Sequence, residues 1–262
     1  MEDPGQYLTS MRQTAPLVHN ITNYVAMNVM ANVLLASGAS PAMVHAREEA
    51  AEFAGIAQAL SINIGTVSPP WAEAMEAAAT VARAQGIPWV LDPVAVGATG
   101  YRRALGARLV ELHPTVIRGN ASEILALAGE AAAGKGADST ESVETAEGAA
   151  RALAHVSGAV VAVTGAVDFV TDGTQAARVA NGHAMMPRVT ALGCSLTGVV
   201  AAFLAGQPRF EAVVAALAYF GLAGERAGAT AQGPGSFQFA FLDALHAIDA
   251  EALTAGARIE PT

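Results

Sequence analysis

Cysteine is almost missing from this chain: Cys194 is the single one among 262 residues. One thiol excludes an internal disulfide framework and any cysteine-cluster metal site. It also suits a reducing compartment. The N-terminal Met1-Glu-Asp-Pro-Gly5 has no basic region followed by an apolar stretch, so a cytoplasmic location is expected. Positive charge is scarce too, with 14 Lys and Arg against 23 Asp and Glu and a net charge of −9. That balance argues against nonspecific binding to nucleic acid or to an anionic membrane. An anionic substrate would need a local positive site, because the global field opposes it. Aromatic residues make up 5% and charged residues 14%. The uncharged segment 21–44 is interrupted by Asn23, Asn28, Asn32, Ser37, Gly38 and Pro41. The apolar run from Ala212 to Gly224 is shorter than the ~20 residues of a membrane span. The six histidines show no metal-ligand spacing.

What is present is apolar surface in quantity, 53% of residues, enough for a large core. The length suits one large α/β domain over 1–262. Strands are predicted at 42–45, 60–64, 89–92, 116–118 and 159–164. Helical patterns lie at 22–37, 47–59, 70–85, 101–111, 120–128 and 143–156. This alternation implies a mostly parallel central sheet with helices on both faces. Three short runs, 169–171, 176–180 and 184–186, are separated by Asp172-Gly173 and Asn181-Gly182, both hairpin signals. They predict an antiparallel edge meander. Helices at 194–206, 210–227 and 237–252 finish the chain.

The most informative stretch is Thr190-Ala-Leu-Gly-Cys-Ser-Leu-Thr-Gly198. The positions Leu196, Val199, Val200, Phe203 and Leu204 recur at helical spacing. A helix start with small residues is an anion site, and a thiol there ionises more readily than a free one. The alternative is a cysteine buried as a small hydrophobe. Asp92, in Asp92-Pro-Val94, ends a strand and needs a partner. Arg118, Asn120 and Glu123 follow another strand, and Thr164-Gly165 ends a third. Ligands of open parallel sheets bind beyond such strand ends, so these residues are expected to converge on Gly193-Cys194. Arg118 could grip phosphate through paired hydrogen bonds or make a plain salt bridge. Asp92 and Glu123 could hold Mg²⁺, which needs only one or two carboxylates beside phosphate. Alternatively, Asn120 and Glu123 form a capping box. Asn23 could hydrogen-bond a small ligand or cap a helix. Met43 could line an apolar pocket or be core. Gly129 to Gly136 imitates a phosphate loop as far as Lys135, but Gly136 stands where Ser or Thr is needed, so a surface connection is expected over Gly129–Ser142. Gly233-Pro-Gly-Ser-Phe237 reads as a turn and N-cap or as a neighbour of a nucleotide.

Together these motifs resemble the hydroxyethylthiazole kinase family. The resemblance is carried by His19-Asn-Ile-Thr-Asn23, Asn63-Ile-Gly65, Asp92-Pro-Val94, Asn120-Ala-Ser-Glu123, Thr164-Gly165 and Gly193-Cys194, in the family's order and spacing. It implies a ribokinase-like α/β fold and Mg²⁺-dependent transfer of the ATP γ-phosphoryl group to 4-methyl-5-(2-hydroxyethyl)thiazole, in thiamine salvage. It implies a homotrimer with sites at subunit interfaces. Carried over, Asn23, Met43 and Ala191 serve substrate, Asp92 and Glu123 serve magnesium, and Arg118, Thr164 and Asn120 serve ATP. Gly193 and Cys194 are then catalytic. One departure stands out. Where the family commonly reads Thr-Gly-Thr-Gly-Cys, this chain has Thr190-Ala-Leu-Gly-Cys194, so Ala191 replaces a glycine and Leu192 adds bulk. The alternatives are a kinase for another small alcohol, a hydroxymethylpyrimidine or a sugar, and a thiazole-binding protein without turnover. A helix start stabilises an anion by only ~0.3–1 kcal/mol, below one pKa unit. Cys194 is therefore expected to assist modestly, and the amides of Gly193, Cys194 and Ser195 to matter more.

Overall fold

The computed structural model describes residues 3–131 and 143–262. Most of the Gly129–Ser142 connection lies outside the described residues. Helix α1 (Pro4–Thr14) starts on Asp3, whose carboxylate accepts the Gly5 N–H. Then come β1 (Leu17–Ile21), α2 (Met27–Ser37), β2 (Ser40–Met43), α3 (Ala50–Ala54), β3 (Ala59–Asn63), α4 (Pro69–Gln85) and β4 (Trp89–Asp92). The middle holds α5 (Gly100–Glu111), β5 (Val116–Asn120), α6 (Ala121–Ala131), α7 (Val143–Ser157), β6 (Val160–Thr164), β7 (Asp168–Thr171) and β8 (Ala176–Val179). The chain closes with α8 (Leu192–Leu204), α9 (Arg209–Thr230), α10 (Pro234–Ala247), α11 (Ala250–Gly256) and β9 (Ile259–Pro261). One sheet runs β2-β1-β3-β4-β5-β6-β7-β8-β9, parallel through β6 and antiparallel after it. This is the expected α/β architecture. Among the described residues no helix is long and apolar enough to cross a membrane.

Several boundaries differ from expectation, each for a local reason. Strand β1 was hidden by its polar residues. Inside it the buried His19 donates from Nε2 to the Val44 carbonyl at 2.7 Å, and Asn20 donates to the Val18 and Ala42 carbonyls. Burial holds the His19 ring below its ordinary pKa, so it is neutral structure. The run 184–186 is not a strand; it leads into a single tight turn at Met186–Arg188, and the third antiparallel strand is β9, from the far end of the chain. Helix 237–252 is two helices, because Asp249 stops the first and caps the second, its Oδ1 accepting the Ala252 N–H at 2.8 Å.

Strand residues alternate between two cores. Ala59, Val90, Val116 and Val160 face α1, α2, α8, α9 and α10, while Leu60, Leu91, Ile117 and Val161 face α3 to α7. Arg12 staples the first layer. It donates to the carbonyls of Ser37 (3.2 Å), Ile248 (2.7 Å) and Leu245 (2.8 Å) and lies 5.9 Å from the centre of the Tyr219 ring. The ends of α2 and α10 therefore depend on one guanidinium, whose removal takes the donor from the Ser37 and Ile248 carbonyls.

Two features set the walls of the site described below. Helix α8 begins two residues earlier than expected, on Ala191, which is forced to a left-handed φ of +64°. Its carbonyl accepts both the N–H and the hydroxyl of Ser195, each at 2.8 Å. On the opposite wall, Glu225 accepts the Gly182 N–H at 2.9 Å and bonds Asn181 and Arg258. Burial alone would push the Glu225 carboxyl up, but the donors from Arg258, Gly182 and Asn181 prevail and hold it below the usual carboxylate range.

An L-residue in the left-handed region costs ~1–2 kcal/mol, part of which glycine returns as extra freedom in the unfolded chain. Ala191→Gly is therefore expected to raise the melting temperature by about 1–3 °C; a lower melting temperature would show that Ala191 is unstrained. A depressed carboxyl stabilises the fold above its unfolded pKa of about 4.3 and loses that contribution as pH falls through the folded value. Glu225→Gln should thus cost about 1–2 kcal/mol in urea unfolding at pH 7, with the deficit shrinking at pH 4. An equal deficit at both pH values would mean the charge contributes nothing.

Candidate active site

Side-chain parity puts the polar strand ends on one face. Asn63, Asp92, Arg118 and Thr164 share the face of Ala59, Val90, Val116 and Val160, and α8 packs there against β3 and β4. Register brings them level: Asn63 is opposite Asp92, and Asn120 is opposite Thr164. The strand order reverses between β1 and β3, the crevice where open parallel sheets bind ligands. Asn23 lies just past β1 and Asn63 ends β3.

A directed chain of amides crosses that crevice. The Ala26 N–H donates to Asn23 Oδ1 at 3.0 Å, which fixes the Asn23 amide. Asn23 Nδ2 then donates to Asn63 Oδ1 (2.9 Å) and to Cys194 Sγ (3.3 Å). Asn63 Nδ2 donates to Asp92 Oδ2 at 2.7 Å. That same oxygen accepts the Thr197 hydroxyl at 2.8 Å and pairs with Arg118 at 3.5 Å. Gly65 makes the crossing possible, since a Cβ there would come within 2.9 Å of both Asn23 and Asn63. The cysteine is therefore held beside the acid and the guanidinium, as the strand-end reading expects.

Two cavities meet at the start of α8. The larger, about 630 Å³, is lined by Arg118, Asn120, Thr164 and Asp168, with an apolar wall of Met186, Leu217 and Phe220. The smaller, about 230 Å³, is lined by Asp92, Glu123, Ala191 and Cys194. Arg118, Asn120, Leu192 and Gly193 border both. Arg118 donates to the Thr164 hydroxyl at 2.9 Å, and a Cβ on Gly193 would touch its guanidinium at 3.4 Å. A guanidinium and a helix start, two groups that each favour anions, thus stand together.

The amide set needs one correction. The Ser195 N–H is already used inside α8 by the Ala191 carbonyl. The amides of Leu192, Gly193 and Cys194 precede it and have no acceptor within the helix, so the expected trio shifts by one residue. The thiol needs another. Burial, reinforced by the Asp92 charge, pushes the Cys194 thiol above its ordinary value despite the Asn23 bond. It is a neutral thiol at pH 7, contrary to the easy ionisation expected of a helix start. Asn23 is buried beside it, whereas Met43, at the end of β2, packs partly buried on the core and lines neither cavity.

The two acids differ. Asp92 Oδ2 is satisfied three times over, but the buried Oδ1 has no protein partner. Burial, only partly offset by Arg118, pushes the carboxyl up to about 6. Glu123 is a helix cap: its Oε2 accepts the Asn120 N–H, while Asn120 Oδ1 accepts the Glu123 N–H, both at 2.9 Å. Its Oε1 accepts the Ala95 N–H at 2.9 Å. The capping box is real, and it carries the carboxylate into the wall of the smaller cavity. Among the described residues no three His, Cys, Asp or Glu side chains cluster as a metal cage. Two oxygen donors, one unpartnered, fit a hard cation that completes its shell with water and phosphate.

Sequence reasoning missed Thr197, Arg102 and Asp168. Thr197 was findable, being three residues after Cys194 on the same helical face. Arg102 donates to the carbonyls of Ile64 (2.5 Å), Val94 (2.8 Å) and Gly65, pinning the loops after β3 and β4; nothing local signals this. Asp168 accepts the Gly165 N–H at 2.9 Å, and burial pushes its carboxyl up to about 6.

Comparison with known proteins gives the family and the fold. The model of the hydroxyethylthiazole kinase family matches residues 8–251. The chain is 70% identical over 260 residues to the hydroxyethylthiazole kinase of Cereibacter sphaeroides strain ATCC 17029, covering 99% of each. Its fold superposes on the structure of a hydroxyethylthiazole kinase from Pyrococcus horikoshii OT3 with a TM-score of 0.93, at 39% identity and full coverage of both chains. The pyridoxal kinase of Staphylococcus aureus, in complex with AMP-PCP and pyridoxal, is similar in fold alone: TM-score 0.66, 17% identity, 94% of this chain and 98% of that one. The chain belongs to the hydroxyethylthiazole kinase family.

Proposed function

We propose that this kinase transfers the γ-phosphoryl group of ATP to the hydroxyethyl alcohol of 4-methyl-5-(2-hydroxyethyl)thiazole, salvaging the thiazole half of thiamine. What supports this most is the amide end of α8, set between Arg118 and the Asp92–Asn63–Asn23 chain beside Cys194. Phosphoryl transfer depends on alignment and charge stabilisation more than on covalent help. Arg118, Thr164 and Asn120 receive the ATP phosphates. The amides of Leu192, Gly193 and Cys194 receive the charge that spreads over the moving phosphoryl group. Asn23 and Ala191 border the thiazole alcohol, while Met43, which lines neither cavity, keeps its place packed on the core. Asp92, through its unpartnered oxygen, and Glu123 would hold Mg²⁺ directly or through water. That cation supplies charge neutralisation across the phosphates when bound.

Cys194 sits where the alcohol proton must leave, yet its thiol is neutral and takes a hydrogen bond from Asn23. It positions the hydroxyl, and the proton passes to an oxygen of the phosphoryl group as the new O–P bond forms and the bond to ADP breaks. The departures Ala191 and Leu192 leave the amides free, so they tune the pocket without closing the anion site. We also infer the homotrimer with sites at subunit interfaces that membership of the family suggests; Tyr24 and Val25, 66% and 59% exposed right beside Asn23, are apolar surface that a neighbouring subunit would cover. The lone thiol is in keeping with the cytoplasm.

Coupled ADP release should show clear preference for the thiazole alcohol over hydroxymethylpyrimidine and ribose, and chelation of Mg²⁺ should abolish it. Equal or faster turnover of the pyrimidine or the sugar would overturn the substrate assignment. In the same assay Asp92→Asn should lower kcat at least about hundredfold, the scale of a lost charge-stabilising group, with an unchanged circular dichroism spectrum. Near-normal turnover would remove Asp92 from the mechanism. Cys194→Ala should lose about ten- to a hundredfold, at or under what a general base supplies. Complete loss with unchanged ATP binding would point instead to an essential base or a phosphocysteine.

A further inference from the structure

Asp168 opens β7 and is, among the described residues, the sole carboxylate on the wall of the larger cavity. One of its oxygens accepts the Gly165 N–H at 2.9 Å; the other has no protein partner among the described residues. Arg118, on the same wall, is occupied by Thr164 and Asp92. A carboxylate in a chamber built to receive phosphate repels that phosphate. An ionised carboxylate only accepts hydrogen bonds, so a ligand group that suits it is a donor.

The chemistry of the lining says which donor. Arg118, Thr164 and the α8 amides supply donors for phosphate, and Met186, Leu217 and Phe220 supply apolar lining suited to a flat base. Asp168 is tied to Gly165, the residue after Thr164, so it stands just beyond the phosphate contacts. In a nucleotide the sugar follows directly on the phosphates, so with the phosphates on Arg118 and Thr164 the sugar comes beside Asp168, and the sugar hydroxyls are donors. We propose that Asp168 accepts a hydrogen bond from a ribose hydroxyl of the bound nucleotide and selects ribonucleotides over their deoxy counterparts. This rests on the kinase reading above and adds the nucleotide specificity of that site.

Calorimetric binding of ADP, 2′-deoxy-ADP and 3′-deoxy-ADP tests it, with wild type and Asp168→Asn. The variant keeps an oxygen for the Gly165 N–H, so the turn survives. Wild type should bind ADP about tenfold tighter than at least one deoxy form, the scale of a charge-assisted hydrogen bond. In Asp168→Asn that ratio should fall to about two or less, with binding of that deoxy form nearly unchanged. Equal weakening of all three nucleotides would assign Asp168 to the turn alone and overturn the proposal. So would a wild type that binds all three alike, a result that does not need the variant to fold. Folded wild type that binds none of the three would sink the kinase reading itself, and this proposal with it.

Discussion

Everything at this site leans on a carboxylate that burial disfavours. Asp92 is 1% exposed at the end of β4, where an unpaired charge is costly. Asn63, Thr197 and Arg118 converge on one of its oxygens, and each comes from a different element: β3, α8 and β5. The acid thereby locks the relative positions of two strands and the helix whose start carries the free amides. Its second oxygen is left over, and the carboxyl stays poised near 6. A group so placed can accept a cation without a change in fold.

The helix start is the complementary half. Ala191 takes a left-handed backbone so that α8 can begin directly under the Arg118 guanidinium. Glycine would adopt that conformation freely, whereas alanine spends conformational energy to hold the same turn. The resulting cluster of backbone dipoles and one guanidinium, the proposed anion site, sits inside a protein whose net charge is −9. Local geometry thus overcomes an unfavourable global field, because short-range donors outweigh screened distant charges. The thiol follows the same electrostatics in the other direction. Asp92 and burial keep it protonated, so its place at a helix start does not make it a thiolate.

The outer wall of the larger cavity is set by parts that meet only in three dimensions. Glu225 of α9 and Arg258, just before β9, hold the Asn181-Gly182 turn, while Gly221 of α9 would clash with Asn181 if it bore a Cβ. The C-terminal strand β9 closes the antiparallel edge that the sequence assigns to residues 184–186. Short runs of that kind carry little periodicity, and pairing partners far along the chain leave no local trace.

The polar residues at strand ends, Asp92, Arg118 and Thr164, were legible in the sequence because apolar runs mark parallel strands and ligands gather at their carboxyl ends. So was the capping pair Asn120 and Glu123, whose spacing alone dictates mutual bonding. Strand β1 was not, because His19 and Asn20 look like surface residues until neighbouring strands supply their carbonyl partners. Nor were Arg102 on three carbonyls or Asp168 in the cavity wall, whereas Thr197 could be read from its helical spacing to Cys194. Periodicity along a chain determines which residues share a face. Which side chain then meets which depends on strand register and on where a helix begins, and a single residue of offset moves a free amide from Ser195 to Leu192.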